Sequence, residues 1–224
     1  MRTALTMTLA AAATLATAGA AHAEKRVAIG VAGGTTGVSG EVSFKANRFI
    51  HLRGGYNYFQ YDLDDGYEDI DYSGELDLSN FGAFVDLHPF GNGFVLSGGA
   101  FMGDKALNLV AEPSSTYEIG DQTFTSAEVG TLHLDAELES TAPFVGLGWD
   151  TTFQGDGNWG LRLLAGAMFT GTPSIDVYTE GGTRTPEQDA ALQQEIAEEE
   201  ANLQDDVDGY EVYPVVQIGL TFAF

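Results

Sequence analysis

The chain has 224 residues, with 9 Lys and Arg against 33 Asp and Glu, a formal net charge of −24. So acidic a chain lacks the basic patch that phosphate binding needs, which excludes nucleic acid as a natural partner. With no Cys there is no disulfide or thiol chemistry, and the four His show no pair at ligand spacing, so no metal site or cofactor is expected.

The amino terminus reads as a signal peptide. Met1-Arg2 is followed by a small, apolar run from Ala4 to Ala20 and by Ala21-His22-Ala23, an A-x-A cleavage site. Residues 1–23 are expected to be cleaved on export, leaving 24–224 as one domain. The leader is too weakly apolar to serve as a membrane anchor.

The mature chain alternates between two kinds of connection. Ala46-Asn47-Arg48, Phe90-Gly91-Asn92-Gly93 and Gln154-Gly155-Asp156-Gly157-Asn158 are short turns. The long acidic connections fall at about 62–69, 112–130 and 180–209. Short turns on one rim and long loops on the other predict an all-β, closed, antiparallel up-and-down transmembrane barrel. Arg26 to Lys45 is read as two strands joined at Gly33-Gly34-Thr35-Thr36-Gly37, because both chain ends on one side require an even count, here eight. One long strand is the alternative.

Phe49 to Tyr61 alternates cleanly, and Tyr56, Tyr58, Phe59 and Tyr61 mark an interfacial aromatic girdle at its outer end. Two later segments share a phase change. Apolar residues occupy even positions first (Leu76, Leu78; Leu132, Leu134, Leu138), then odd ones (Phe81, Ala83, Val85, Leu87; Val145, Leu147, Trp149). This suggests β-bulges near Ser79–Phe81 and Glu139–Pro143, unless the change is ordinary sequence variation. These strands exceed the 9–11 residues or so needed to cross the hydrocarbon core, so their ends are expected to project outside.

In the last loop Thr185-Pro186-Glu187-Gln188 carries an N-cap, a first-turn Pro and a capping box. A short acidic helix is expected over 186–204, with Leu192, Ile196 and Leu203 on one face, either docked on the rim or mobile. The chain closes on Tyr210 to Phe224, apolar or aromatic at every second residue and mostly polar or small between.

Alternation places His51, Arg53, Lys105 and Arg162 inside the barrel with Glu41, Asp77, Asp86, Glu137 and Asp150. Charges in a small lumen must be paired, so Arg53, Arg162 and Lys105 are expected to knit neighbouring carboxylates together. A cation-lined constriction for an anion is the alternative. The candidate catalytic residues are His88, His133 and Ser97. None has triad spacing, and His88 lies beside a short turn, so no enzyme is expected. The acid runs Asp62–Gly66 and Asp205–Gly209 lack the Glu that an EF-hand requires.

The leader, the Gly-rich first hairpin, the Asp86-Leu87-His88-Pro89-Phe90-Gly91 turn and the terminal Phe224 together resemble small outer-membrane β-barrel proteins of Proteobacteria. The resemblance spans the mature chain but fixes no subfamily. It implies the outer membrane of a Gram-negative bacterium, contact with lipid and lipopolysaccharide, and recognition of Leu220, Phe222 and Phe224 by the barrel-assembly machinery. It also implies a structural role at the cell surface with a side-chain-filled lumen. The alternatives are a narrow channel, or lateral passage of a small hydrophobic molecule as in the outer-membrane protein W kind. A soluble periplasmic ligand-binding barrel is the third reading.

Overall fold

Thirteen strands and two helices succeed one another in the structure, a computed structural model that describes residues 24–67, 70–113, 116–119 and 122–224. The expected leader, residues 1–23, lies outside the described residues. The elements are β1 Val27–Gly34, β2 Gly37–Lys45, β3 Ile50–Tyr58, β4 Gln60–Tyr67, β5 Ile70–Leu87, β6 Phe94–Pro113, β7 Thr116–Ile119 and β8 Gln122–Thr125. They continue with α1 Ser126–Val129, β9 Thr131–Glu137, β10 Thr141–Asp150, β11 Trp159–Phe169, β12 Ser174–Glu180, α2 Pro186–Val207 and β13 Val212–Ala223.

Eight of these strands close a barrel in the order β1-β2-β3-β5-β6-β10-β11-β13, with β13 paired antiparallel to β1. The first segment is two strands, as the even count requires. Gly34 pairs with Gly37 across Thr35-Thr36, and Gly37 supplies the left-handed φ of 86° that such a tight turn needs. That outer turn is laced to the last strand, with Thr35 Oγ1 donating to Pro214 O at 3.0 Å and Tyr213 Oη donating to Thr35 O at 2.7 Å.

The barrel wall is apolar on its outside. Val31, Val42, Leu52, Val85, Val145, Leu147, Ile218 and Leu220 are all exposed, while Ser43, Arg53, Asp86, Ser97, Arg162 and Thr221 are buried inside. In water this distribution would be upside down. It is stable when hydrocarbon surrounds the cylinder and polar groups satisfy one another within it. Exposed aromatics cluster towards each end of this band, with Tyr56, Tyr58 and Phe59 above and Phe90, Trp149 and Trp159 below. No described helix is long and apolar enough to cross a membrane.

Above the wall, β5 and β6 run on for 18 and 20 residues in all and carry a sheet extension in the order β4-β5-β6-β9-β12. The 62–69 segment, expected as a loop, is largely strand: β4 pairs with β5 from Gln60↔Asp77 to Tyr67↔Ile70. The 112–130 connection contains the β7–β8 hairpin and α1.

The bulge expected near Ser79–Phe81 does not form, whereas near Glu139–Pro143 one extra residue stands on the β9–β10 line against β11 and β12, between Glu137↔Ser174 and Phe144↔Met168. The β5–β6 register is unbroken from Ile70↔Pro113 to Leu87↔Leu96, and no residue is inserted between the β6–β9 and β6–β10 registers. The apolar phase changes because the surroundings change. In the wall the outward odd residues Val145, Leu147 and Trp149 are exposed on the apolar outer face. In the extension the even residues Leu132, Leu134 and Ala136 face an outer core of Ala111, Ile119, Phe124, Val129, Ile175, Val177, Leu192 and Ile196. One continuous strand line thus presents opposite faces to two apolar media.

Helix α2 is docked on this core. Its cap is the expected one, with Thr185 accepting from Gln188 N and Gln188 returning the bond, but the helix runs on to Val207. Leu192 and Ile196 are buried, and Leu203 and Val207 pack beside them. The helix also covers the edge of β12: Ile175 N donates to Gln204 Oε1 at 3.2 Å and Val177 N to Glu200 Oε2 at 3.5 Å. Backbone donors that would otherwise form an open sheet edge are thereby satisfied.

Candidate functional site

The lumen is the place where the chain concentrates its chemistry, and strand alternation builds it. Odd residues of β2 and β3 and even residues of β5, β10 and β11 point inward, converging Glu41, His51, Arg53, Asp86, Asp150 and Arg162. Arg53 is the hub. Its Nε lies 2.8 Å from Asp86 Oδ2, its Nη1 3.2 Å from Glu41 Oε1, and its Nη2 donates to Ser97 Oγ at 3.0 Å. Ser97 Oγ in turn donates to Asp86 Oδ1. Arg162 forms an ion pair with the other oxygen of Glu41, and its Nη1 is 4.0 Å from Asp150 Oδ2. Gly55 faces inward beside Glu41; a Cβ there would lie 2.9 Å from Glu41 Cγ, so the glycine makes room for the carboxylate. Bidentate, charge-assisted bonding offsets the desolvation of these ions.

A layer of rings lies against this network. Phe84, Phe101 and Phe144 pack edge-to-face, with centroids 5.0–5.6 Å apart. The Arg53 guanidinium sits 4.1 Å from the Phe84 centroid. Ala142, Leu164, Met168 and Val215 complete the layer. The inward glycines 82, 99, 146 and 166 leave the space these rings occupy: a Cβ on any of them would fall within 2.7 Å of a ring atom.

The remaining expected lumen residues lie elsewhere. Lys105 is buried above the rings, where its Nζ donates to the carbonyls of Gly103, Glu139 and Ser140 at 3.0, 2.7 and 3.2 Å. Glu137 is exposed on β9, in the extension. Its placement in the lumen is corrected: the barrel has ended below it. Asp77 pairs through its backbone with Gln60 and Ala106 in the same extension, and its side chain lies outside the described part. Leu220 and Phe224 face outward, and Phe222 packs against Trp159 with centroids 5.1 Å apart.

Two features were not legible in the sequence. One is an apolar groove of about 360 Å³ between α2 and the extension, lined by Leu107, Leu134, Ala136, Ile175, Leu203 and Val207 among others, with Lys105 at one side. The other is a meeting of His51, His88 and Asp150, whose ligand-type atoms lie within 4.8 Å of one another. The spacing of the four His in the sequence does not reveal this meeting. The pair is made by folding, since His51 starts β3 and His88 follows β5. Of the three candidate catalytic residues, Ser97 belongs to the Arg53 network and His88 sits with His51. His133 stacks on Tyr178 in the extension, with ring centroids 4.9 Å apart. Burial and the neighbouring Asp135 raise the Tyr178 phenol.

No protein-family model matches the chain, and no curated protein matches its sequence. Solved structures do share its fold. CarO2 of Acinetobacter baumannii is 22% identical with a TM-score of 0.56, covering 89% of this chain and 98% of its own. CarO of the same organism is 23% identical with a TM-score of 0.53 and the same coverage. At these identities the likeness establishes a common barrel fold.

Proposed function

We propose that the protein is an integral barrel of the Gram-negative outer membrane, with a sealed lumen and a non-catalytic, structural role at the cell surface. The observation that carries this reading is the filled interior. The Arg53–Glu41–Arg162 network and the three packed phenyl rings occupy the lumen, with glycines cut to fit the rings. The apolar outer wall and a fold shared with outer-membrane barrels support the location. The acidic outer surface suits divalent cations that bridge lipopolysaccharide, and Leu220, Phe222 and Phe224 suit recognition of the last strand during assembly. Planar bilayers test the seal. The refolded protein is expected to give no steady unitary currents, and reproducible single-channel steps would refute it. Release of the protein by osmotic shock without detergent would instead favour a soluble barrel.

The apolar groove favours a second reading, capture of a small hydrophobic molecule at the outer face. N-phenyl-1-naphthylamine should then gain fluorescence on the wild-type barrel and lose that gain in Leu134→Glu. Equal signals in both proteins would remove this reading.

A further inference from the structure

We propose that His51, His88 and Asp150 form a binding site for a divalent transition-metal ion of the zinc type, at the short-turn end of the lumen. Three independent observations lead there.

The first is the donor set. His51 lies at the start of β3, His88 follows β5 and Asp150 ends β10, so three parts of the wall contribute one ligand each. The two imidazoles have centroids 4.2 Å apart, and the candidate ligand atoms of all three residues lie within 4.8 Å of one another. Zinc bonds of about 2.0–2.1 Å place tetrahedral ligands roughly 3.3 Å apart, so modest ring rotation closes the set. Two imidazole nitrogens and one carboxylate suit zinc and its neighbours; calcium and magnesium prefer oxygen throughout.

The second is unmet hydrogen bonding. His51, His88 and Asp150 are 5%, 1% and 3% exposed, yet His51 Nδ1 and His88 Nε2 have no hydrogen-bond partner. Buried ring nitrogens without a partner are costly. His88 Nδ1 lies 3.0 Å from Asn92 O. A carbonyl only accepts, so Nδ1 carries the hydrogen and Nε2 presents its lone pair to the cluster. Metal-binding histidines are oriented by this kind of outer bond. Asp150 is held likewise, its Oδ1 accepting from Thr152 N at 2.7 Å.

The third is charge. Among the described residues of the lower lumen, Glu41, Asp86 and Asp150 face only Arg53 and Arg162. Glu41 and Asp86 have close guanidinium partners, whereas the nearest to Asp150 is 4.0 Å away. Lys45 is engaged at the rim by Glu24, 2.8 Å away, and Lys105 lies beyond the rings. A bound dication held by these residues would supply the missing positive charge.

The site stands apart from the structural role proposed above; a sealed barrel without it would remain a sealed barrel. The test is calorimetric titration of zinc chloride into the full mature barrel refolded in detergent, with folding checked by heat-modifiable mobility. One zinc per chain is expected. The double variant His51→Gln/His88→Gln should bind about 100-fold or more weakly, and His133→Gln should bind as the wild type does. Zinc binding unchanged in the double variant would assign the metal to the acidic loops and overturn the site, as would no binding by the wild type. Should the double variant fail to fold, X-ray absorption on the zinc-loaded wild type decides. Two imidazole nitrogens in the coordination shell support the site, and a shell of oxygens alone overturns it.

Discussion

The wall and the extension are made from the same strand lines, yet they are built to opposite plans. In the wall, β10 turns Val145, Leu147 and Trp149 outward and packs Phe144 and Asp150 within. In the extension, β9 turns its polar odd residues outward and packs Leu132, Leu134 and Ala136 under α2. The backbone register along β6 does not change between the two. Which face is apolar differs between the two: the outward face in the wall, and the face packed under α2 in the extension.

The comparison can be broken most severely from the inside of the wall. Arg53→Ala leaves Asp86 without its guanidinium partner and Glu41 with only Arg162, and should cost about 3–5 kcal/mol. Urea unfolding in detergent, followed by tryptophan fluorescence, should show the midpoint fall. In the extension the corresponding weak point is greasy. Leu192→Ala should weaken helix docking by about 2–5 kcal/mol. Hydrogen exchange should rise in 186–207, while heat-modifiable mobility of the barrel stays as it was.

Val145→Arg sharpens the contrast between media. On the lipid face at mid-barrel it should cost about 2–4 kcal/mol in bilayers. Glu137→Arg, at an exposed position on the same strand line above the wall, should be silent in the same unfolding measurement. Thr185→Ala removes the helix cap and should cost about 1 kcal/mol of helix stability, seen as faster exchange in the first turn of α2.

The smallest effect is a pH response confined to the extension. Hydrogen bonds from Thr125 hold the Glu128 carboxyl below its ordinary 4.5, and Gln188 also bonds it. A depressed carboxylate stabilises the fold fully above its unfolded value and loses that contribution as pH falls through the folded one. Exchange at the α1–α2 junction should therefore quicken below about pH 4.5 and be insensitive to acid in Glu128→Gln.

What could be read from the residues was what is written locally. The tight turn at Thr35-Thr36, the cap at Thr185 and the alternation along β3 and β13 depend on neighbours in the chain. The docking of α2 was left open because its partners Ile175, Val177 and Phe124 come from other strands. Glu137 was misplaced because alternation continues past the end of the lumen, and period alone does not say where a cylinder stops. The bulge near Ser79–Phe81 was inferred for a related reason: two environments acting on one register leave the same trace as an inserted residue. His51, His88 and Asp150 meet across three strands, and no spacing reports such a meeting.

The seam between β1 and β13 has a consequence for how the molecule is made. Ala28 pairs with Ala223, and Phe224 N donates to Val27 O at 2.9 Å. The earliest strand of the cylinder must wait, unmated on one side, for the latest to arrive. Until then each free flank would face hydrocarbon with a row of unmet amides. Closing the cylinder therefore joins the most distant parts of the chain, which should make it the slow step of folding.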